Sequence, residues 1–274
     1  MHPGRFLNVC AAVASFTTIL FFRRRRTWIM GALILFPALL PPIAVYYIPD
    51  AVRENLKIFA ALTDFLYLFT LAPLAALFYA CSLLSEEIEG RTFPLLLSRA
   101  APRSAIVLGK YAAFLLVASV LLVVSLILLF LSCAWWLELS VPGPNAALLA
   151  RYLALTVLTA AVYGALCLAV STMTRHPVIV SALFIFGWEK MVIALPGYAD
   201  FLTFQKYVQR LMPPLPFRRI EIEKVELPAE LLREVYPVGA QMSLAVLMGS
   251  IVALLIVACW VVRSREFASA AEAA

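Results

Sequence analysis

The sequence predicts an all-α membrane protein, a six-helix transmembrane bundle, and three observations carry that reading. Of 274 residues, 64% are apolar and only 14% charged, where a soluble domain carries about 45–50% and about 25%. The mean hydropathy of +0.95 leaves too little polar surface to coat a 30.3 kDa ball in water. Six apolar runs, at 28–47, 58–84, 105–136, 146–173, 178–195 and 238–262, each approach or exceed the roughly 20 residues that a helix needs to cross the hydrocarbon. The net charge of +6 and pI near 9.2 fit basic loops on the cytoplasmic side and contact with anionic lipid. Nucleic acid is therefore not an expected partner.

The first run carries Pro37, Pro41 and Pro42, and the second carries Pro73. Each proline would kink a soluble helix, but in a bundle the neighbouring helices can satisfy the freed carbonyls. Basic residues set the orientation. Arg23, Arg24, Arg25 and Arg26 precede the first run, and Arg263 and Arg265 follow the last. An even number of spans puts both clusters on one side, together with Arg91, Arg99, Arg103, Lys110 and Arg175. That side is expected to be cytoplasmic, with both termini on it. Trp135, Trp136, Tyr46, Tyr47 and Tyr198 read as the aromatic belt of the opposite interface.

Residues 6–22 form an apolar stretch that ends at the arginine run. A signal peptide has the reverse order, with its charge first. The stretch is expected to be an N-terminal interfacial helix with Arg5, Asn8 and Ser15 on one face. A seventh span turning back at the arginines is the other placement. Residues 198–237 carry both basic and acidic side chains and the Pro-rich Met212-Pro-Pro-Leu-Pro-Phe. They are expected to form a small external loop subdomain, with strand-like alternation over 219–227 and a helical stretch over 228–235. The segments are then 1–26, the spans within 27–197, the loop 198–237, the last span 238–263 and a cytoplasmic tail 264–274.

Familiar catalytic equipment is missing from the sequence. The five cysteines stand singly in apolar runs, and His2 and His176 belong to no HExxH. There is no GxxxxGK[ST] phosphate loop and no GxSxG elbow. The chain is not expected to be an enzyme or to hydrolyse ATP itself.

Three charged residues fall inside spans. Asp64 lies two turns into the second, and Glu189 and Lys190 lie in the fifth, about 18 Å from its cytoplasmic end at 1.5 Å per residue. Such groups usually face a partner or a wet cavity. Asp64 and Lys190 fall at similar depth and are expected to pair. The bland alternative leaves all three at the outer interface, with Lys190 snorkelling. Gly187-Trp-Glu-Lys also suits the start of a broken or re-entrant helix.

The connection between the second and third runs says most. It reads Ser85-Glu-Glu-Ile-Glu-Gly-Arg-Thr-Phe-Pro-Leu-Leu-Leu-Ser-Arg-Ala-Ala-Pro-Arg-Ser, then Ala-Ile-Val-Leu-Gly-Lys. Glu86, Glu87 and Glu89 carry the second helix out of the bilayer, and Gly90 suits its C′ position. Thr92 suits the cap of a new short helix with Pro94 in its first turn. That helix runs to about Arg99, with Phe93, Leu95, Leu96 and Leu97 between Arg91 and Arg99. A short transverse helix between two long ones is a handle for something in the cytoplasm.

The glutamates, Gly90, Thr92, Leu95, Leu96, Ser98, Arg99, Arg103, Gly109 and Lys110 give this segment its resemblance to the first cytoplasmic loop of permease subunits of ABC transporters, type 2 exporter family. Ala100-Ala101-Pro102 stands where such permeases usually have an earlier proline. The basic approach, six spans and long connection before the last span fit as well. The resemblance implies that 85–104 is a coupling helix seated in a groove of a separate ATP-binding subunit. Glu86, Glu87, Glu89 and Arg91 would make its ionic contacts, Phe93 and Leu97 its apolar ones, with Gly90, Thr92, Arg99 and Arg103 shaping its ends. It also implies a second permease copy or homologue, ATP and Mg held by the partner rather than by this chain, and a place in the cell inner membrane. A stand-alone ion-coupled secondary transporter is the alternative. An intramembrane enzyme and a non-transporting partner of an ATPase are further ones.

Overall fold

The computed structural model describes residues 3–23, 25–47, 52–83, 102–141, 143–174, 176–193, 201–215 and 239–264. Among these residues the chain is 91% helical with no strand. Six helices are long and apolar enough to cross a membrane: Phe6–Arg23, Thr27–Tyr47, Asn55–Ala80, Ser104–Trp136, Pro144–Met173 and Ala240–Ser264. The protein is an all-α six-helix membrane bundle. The set differs from the six apolar runs at one member. The N-terminal helix joins the set, while the fifth run is described only from Pro177 to Ile193, as a continuous helical stretch.

The helix Pro144–Met173, the fourth span, sits at the centre. Two thirds of its apolar stretch (67%) is buried, against 6% for Phe6–Arg23 and 22% for the last span. It packs on the third span and the last one, with the second and fifth on its remaining sides. Without a hydrophobic drive between helices in lipid, close approach through small residues supplies the packing. Gly164 provides it here, since a Cβ at that position would overlap the Phe114 ring of the third span. Phe59 fills the centre edge-to-face with Phe130 at 5.4 Å and Tyr152 at 5.9 Å between ring centroids.

Prolines accompany departures from α geometry in the first and second spans. In the first span the α-helix stops at Leu35, passes through a 3₁₀ turn, Phe36–Leu39, and resumes at Leu40–Tyr47. In the i→i+3 register of that turn, Pro37 has no N–H to give to the Ile34 carbonyl. The Ser125 hydroxyl of the third span donates to that carbonyl instead, and Tyr67 of the second span completes the chain with Tyr67 Oη to Ser125 Oγ at 2.6 Å. The second span widens to π geometry over Thr63–Leu71 and Ala76–Ala80, on either side of the helical turn that holds Pro73. The fifth run widens over Leu183–Trp188. π segments inside α-helices concentrate at functional sites.

Tyr46, Tyr47, Trp135 and Trp136 are all exposed at the ends of the first and third spans. Part of the loop following the fifth run folds back on the bundle. It has a short turn at 201–202 and an amphipathic helix, Phe204–Leu211, that packs on the fourth and last spans. The strand-like 219–227 and helical 228–235 stretches lie outside the described residues.

Candidate functional site

Two clusters bring together the residues that the sequence singles out. The first flanks the coupling segment. Glu86, Glu87, Glu89, Gly90, Arg91, Thr92, Phe93, Leu97 and Arg99 lie outside the described residues, and Arg103 opens the third-span helix, Arg103–Trp136. Pro102 sits at the N-cap in extended conformation, and its carbonyl accepts the Ala105 N–H at 2.9 Å. Within two turns of that start, Gly109 and Lys110 face different neighbours. A Cβ on Gly109 would lie 2.7 Å from the carbonyl oxygen of Cys10, so glycine is what lets the N-terminal helix approach. Lys110 is 2% exposed and its ammonium donates to the Leu83 carbonyl at 2.9 Å. A hydrogen bond involving a charged group contributes about 1.5–3 kcal/mol, which offsets part of the cost of drying the ammonium. Beside Leu83, Tyr79 Oη donates to the Thr27 carbonyl at 3.3 Å. Its ring meets Phe21 edge-on at 5.4 Å.

The second cluster surrounds Glu189, which is 1% exposed. The Tyr163 hydroxyl of the fourth span donates to its Oε2. The backbone N–H of Phe204 donates to its Oε1 at 3.1 Å. Phe204 is the first residue of helix Phe204–Leu211, where backbone N–H groups lack intrahelical acceptors and favour a carboxylate. The chain therefore leaves the fifth run at Ile193 and has returned to the level of Glu189 by Phe204. Tyr163 and Phe184 pack their rings against Phe204, at 5.9 and 6.5 Å. Tyr207 holds the turn before this helix by donating to the Phe201 carbonyl at 3.0 Å, and burial pushes its phenol up from the usual range. Lys206 stacks over the Phe201 ring at 3.8 Å.

Lys190 points away from Glu189's partners and is exposed. Its ammonium donates to Gln205 Oε1 at 3.1 Å and lies 5.3 Å over the Phe69 ring. The pairing of Lys190 with Asp64 is thus replaced, on the lysine side, by an amide and a ring. Phe69 is one π turn from Asp64, so the two charges do share a neighbourhood, as their depths suggest. Asp64 itself is half-buried on the widened part of the second span.

Sequence reasoning missed Tyr163, Phe204 and Gln205. The spacing Phe204, Tyr207, Val208, Leu211 carries a helical signal that marks the returning helix. Nothing in the sequence marks the backbone N–H of Phe204 as a carboxylate's partner.

A bundle of long apolar helices with buried polar contacts defines a multi-pass helical membrane protein. Residues 11–265 match the family model described as ABC-2 family transporter protein, and the chain belongs to that family. No curated protein matches the chain.

Proposed function

We propose that this chain is the transmembrane permease subunit of an ATP-binding cassette exporter, coupling ATP hydrolysis on a separate subunit to substrate movement. The match to the family model over residues 11–265 carries this reading. The glutamate–Gly90–Thr92 segment supports it, because it joins two spans whose described flanks are tied together. In this reading 85–104 is the coupling helix, with Glu86, Glu87, Glu89 and Arg91 making ionic contacts to the ATPase and Phe93 and Leu97 the apolar ones. ATP and Mg reside on the partner, and a second permease copy or homologue completes the unit. ATP binding drives the change only through contacts that differ between the two states.

The basic clusters support cytoplasmic termini and a place in the cell inner membrane. The N-terminal helix is interfacial in this reading, since it meets Gly109 and Tyr79 at the ends of the third and second spans that flank 84–101.

Affinity purification of the tagged chain from its native membrane tests the proposal, wild type beside the variant Glu87→Lys with Arg91→Glu. Recovery of an ATP-hydrolysing partner that the variant loses is the expected result. An intact variant eluting like wild type, both without ATPase, overturns it in favour of an ion-coupled transporter.

A further inference from the structure

We infer that Gly109 and Lys110 lock four helices into one rigid platform at the described flanks of the coupling segment, with Lys110 as the positioning residue. The inference deepens the proposed function and rests on it only for the word coupling. The tie itself is geometric.

Four contacts close the platform. Lys110 of the third span donates to the Leu83 carbonyl, three residues past the second span, at 2.9 Å. The second and third spans, which 84–101 joins in sequence, are therefore tied to each other between described residues. Gly109, adjacent on the same helix, admits the Cys10 carbonyl of the N-terminal helix, and any larger residue would meet that oxygen at 2.7 Å. At its other end the N-terminal helix sets Phe21 against Tyr79 of the second span. Tyr79 in turn donates to the Thr27 carbonyl where the first span begins. Starting from any of these helices, the contacts lead through the other three.

The chemistry of Lys110 suits this work. A buried ammonium that leaves a carbonyl acceptor pays a desolvation cost, so separating Lys110 from the Leu83 carbonyl is unfavourable. Its donor sits on a four-carbon stem that is itself buried. A push delivered to 84–101 then moves the second span, the third span and the N-terminal helix together, instead of flexing a loop between independent helices.

The test uses the full chain in lipid nanodiscs and compares Lys110→Met and Lys110→Arg with wild type by amide hydrogen exchange. In Lys110→Met, peptides covering residues 79–101 are expected to exchange at least about tenfold faster, with those of the fourth span unchanged, and Lys110→Arg is expected to stay within about twofold of wild type. If Lys110→Met yields no folded protein, Lys110→Gln, too short to reach and less apolar, takes its place. In the complex with the ATPase, a non-hydrolysable ATP analogue is expected to alter exchange in both 84–101 and the N-terminal helix of wild type. In the Lys110 variant only 84–101 responds. Uniformly faster exchange in every span would make Lys110 an ordinary packing residue and overturn the inference, as would exchange identical to wild type. Failure to recover any ATPase counts against the proposed function and leaves the exchange result in the isolated chain to decide the platform.

Discussion

The Glu189 carboxylate accepts the backbone N–H of Phe204 at 3.1 Å and so pins the first turn of a returning helix to the middle of the bundle. The Tyr163 hydroxyl holds the other oxygen. The arrangement makes Glu189 a structural anchor for the segment after the fifth run, and it separates the roles of two neighbouring charges, Glu189 turned inward and Lys190 outward.

Replacing Glu189 with Leu strands two donors, the Tyr163 hydroxyl and the Phe204 N–H. Each orphaned buried donor costs about 1–3 kcal/mol. Glu189→Gln keeps a carbonyl acceptor and is expected to lose roughly half as much. The midpoints of thermal unfolding of the purified variants in detergent give the order wild type, Gln, Leu; equal midpoints for Gln and Leu would show that neither donor depends on the carboxylate.

Lys190 and Gln205 touch, so their substitutions should not be independent. A double-mutant cycle of Lys190→Met and Gln205→Leu is expected to show a coupling of about 0.5 kcal/mol or more. The parallel cycle of Lys190→Met with Asp64→Asn is expected to give the smaller value. The reverse ranking, read from unfolding curves, would restore the Asp64 pairing.

Gly164 leaves no room for a side chain against Phe114. Gly164→Ala forces the third and fourth spans apart and is expected to cost about 1–3 kcal/mol. Trimming the ring with Phe114→Leu should recover part of that loss in the double variant, although alone it leaves a cavity. A lack of recovery would place the strain elsewhere.

Ser125 serves two spans at once, receiving Tyr67 and donating to Ile34. Ser125→Ala leaves the Ile34 carbonyl without its donor and is expected to destabilise by about 1–3 kcal/mol. Ser125→Thr retains the hydroxyl and should fall between Ala and wild type. Unfolding midpoints with Tyr67→Phe as a control check this, since that control removes only the far end of the chain.

How much of this was legible depended on where each signal lives. Membrane class and helix content follow from composition, because hydrocarbon tolerates few charges and no open backbone. The break in the first span is written in Pro37, and the three intramembrane charges stand out by type alone. The partners of those charges do not. Glu189 meets a tyrosine in another helix and a main-chain N–H, and Lys190 meets Gln205 fifteen residues on, across a fold-back that local periodicity cannot place. The counting of spans was half legible. Residues 6–22 and 178–195 look alike as apolar runs, and the described part of the second, Pro177–Ile193, differs by packing against the central fourth span and by burying Glu189.

The donation from Ser125 to Ile34 also bears on how the chain is made. The Ile34 carbonyl is synthesised some ninety residues before the hydroxyl that will cover it, a separation of 91 in sequence. Until the third span emerges, that oxygen needs water or a temporary host at bilayer depth. The first span therefore gains a partner for its bend only after the third span is made. Its bend is braced by a helix translated later, so the N-terminal half reaches its final packing only in the company of the third span.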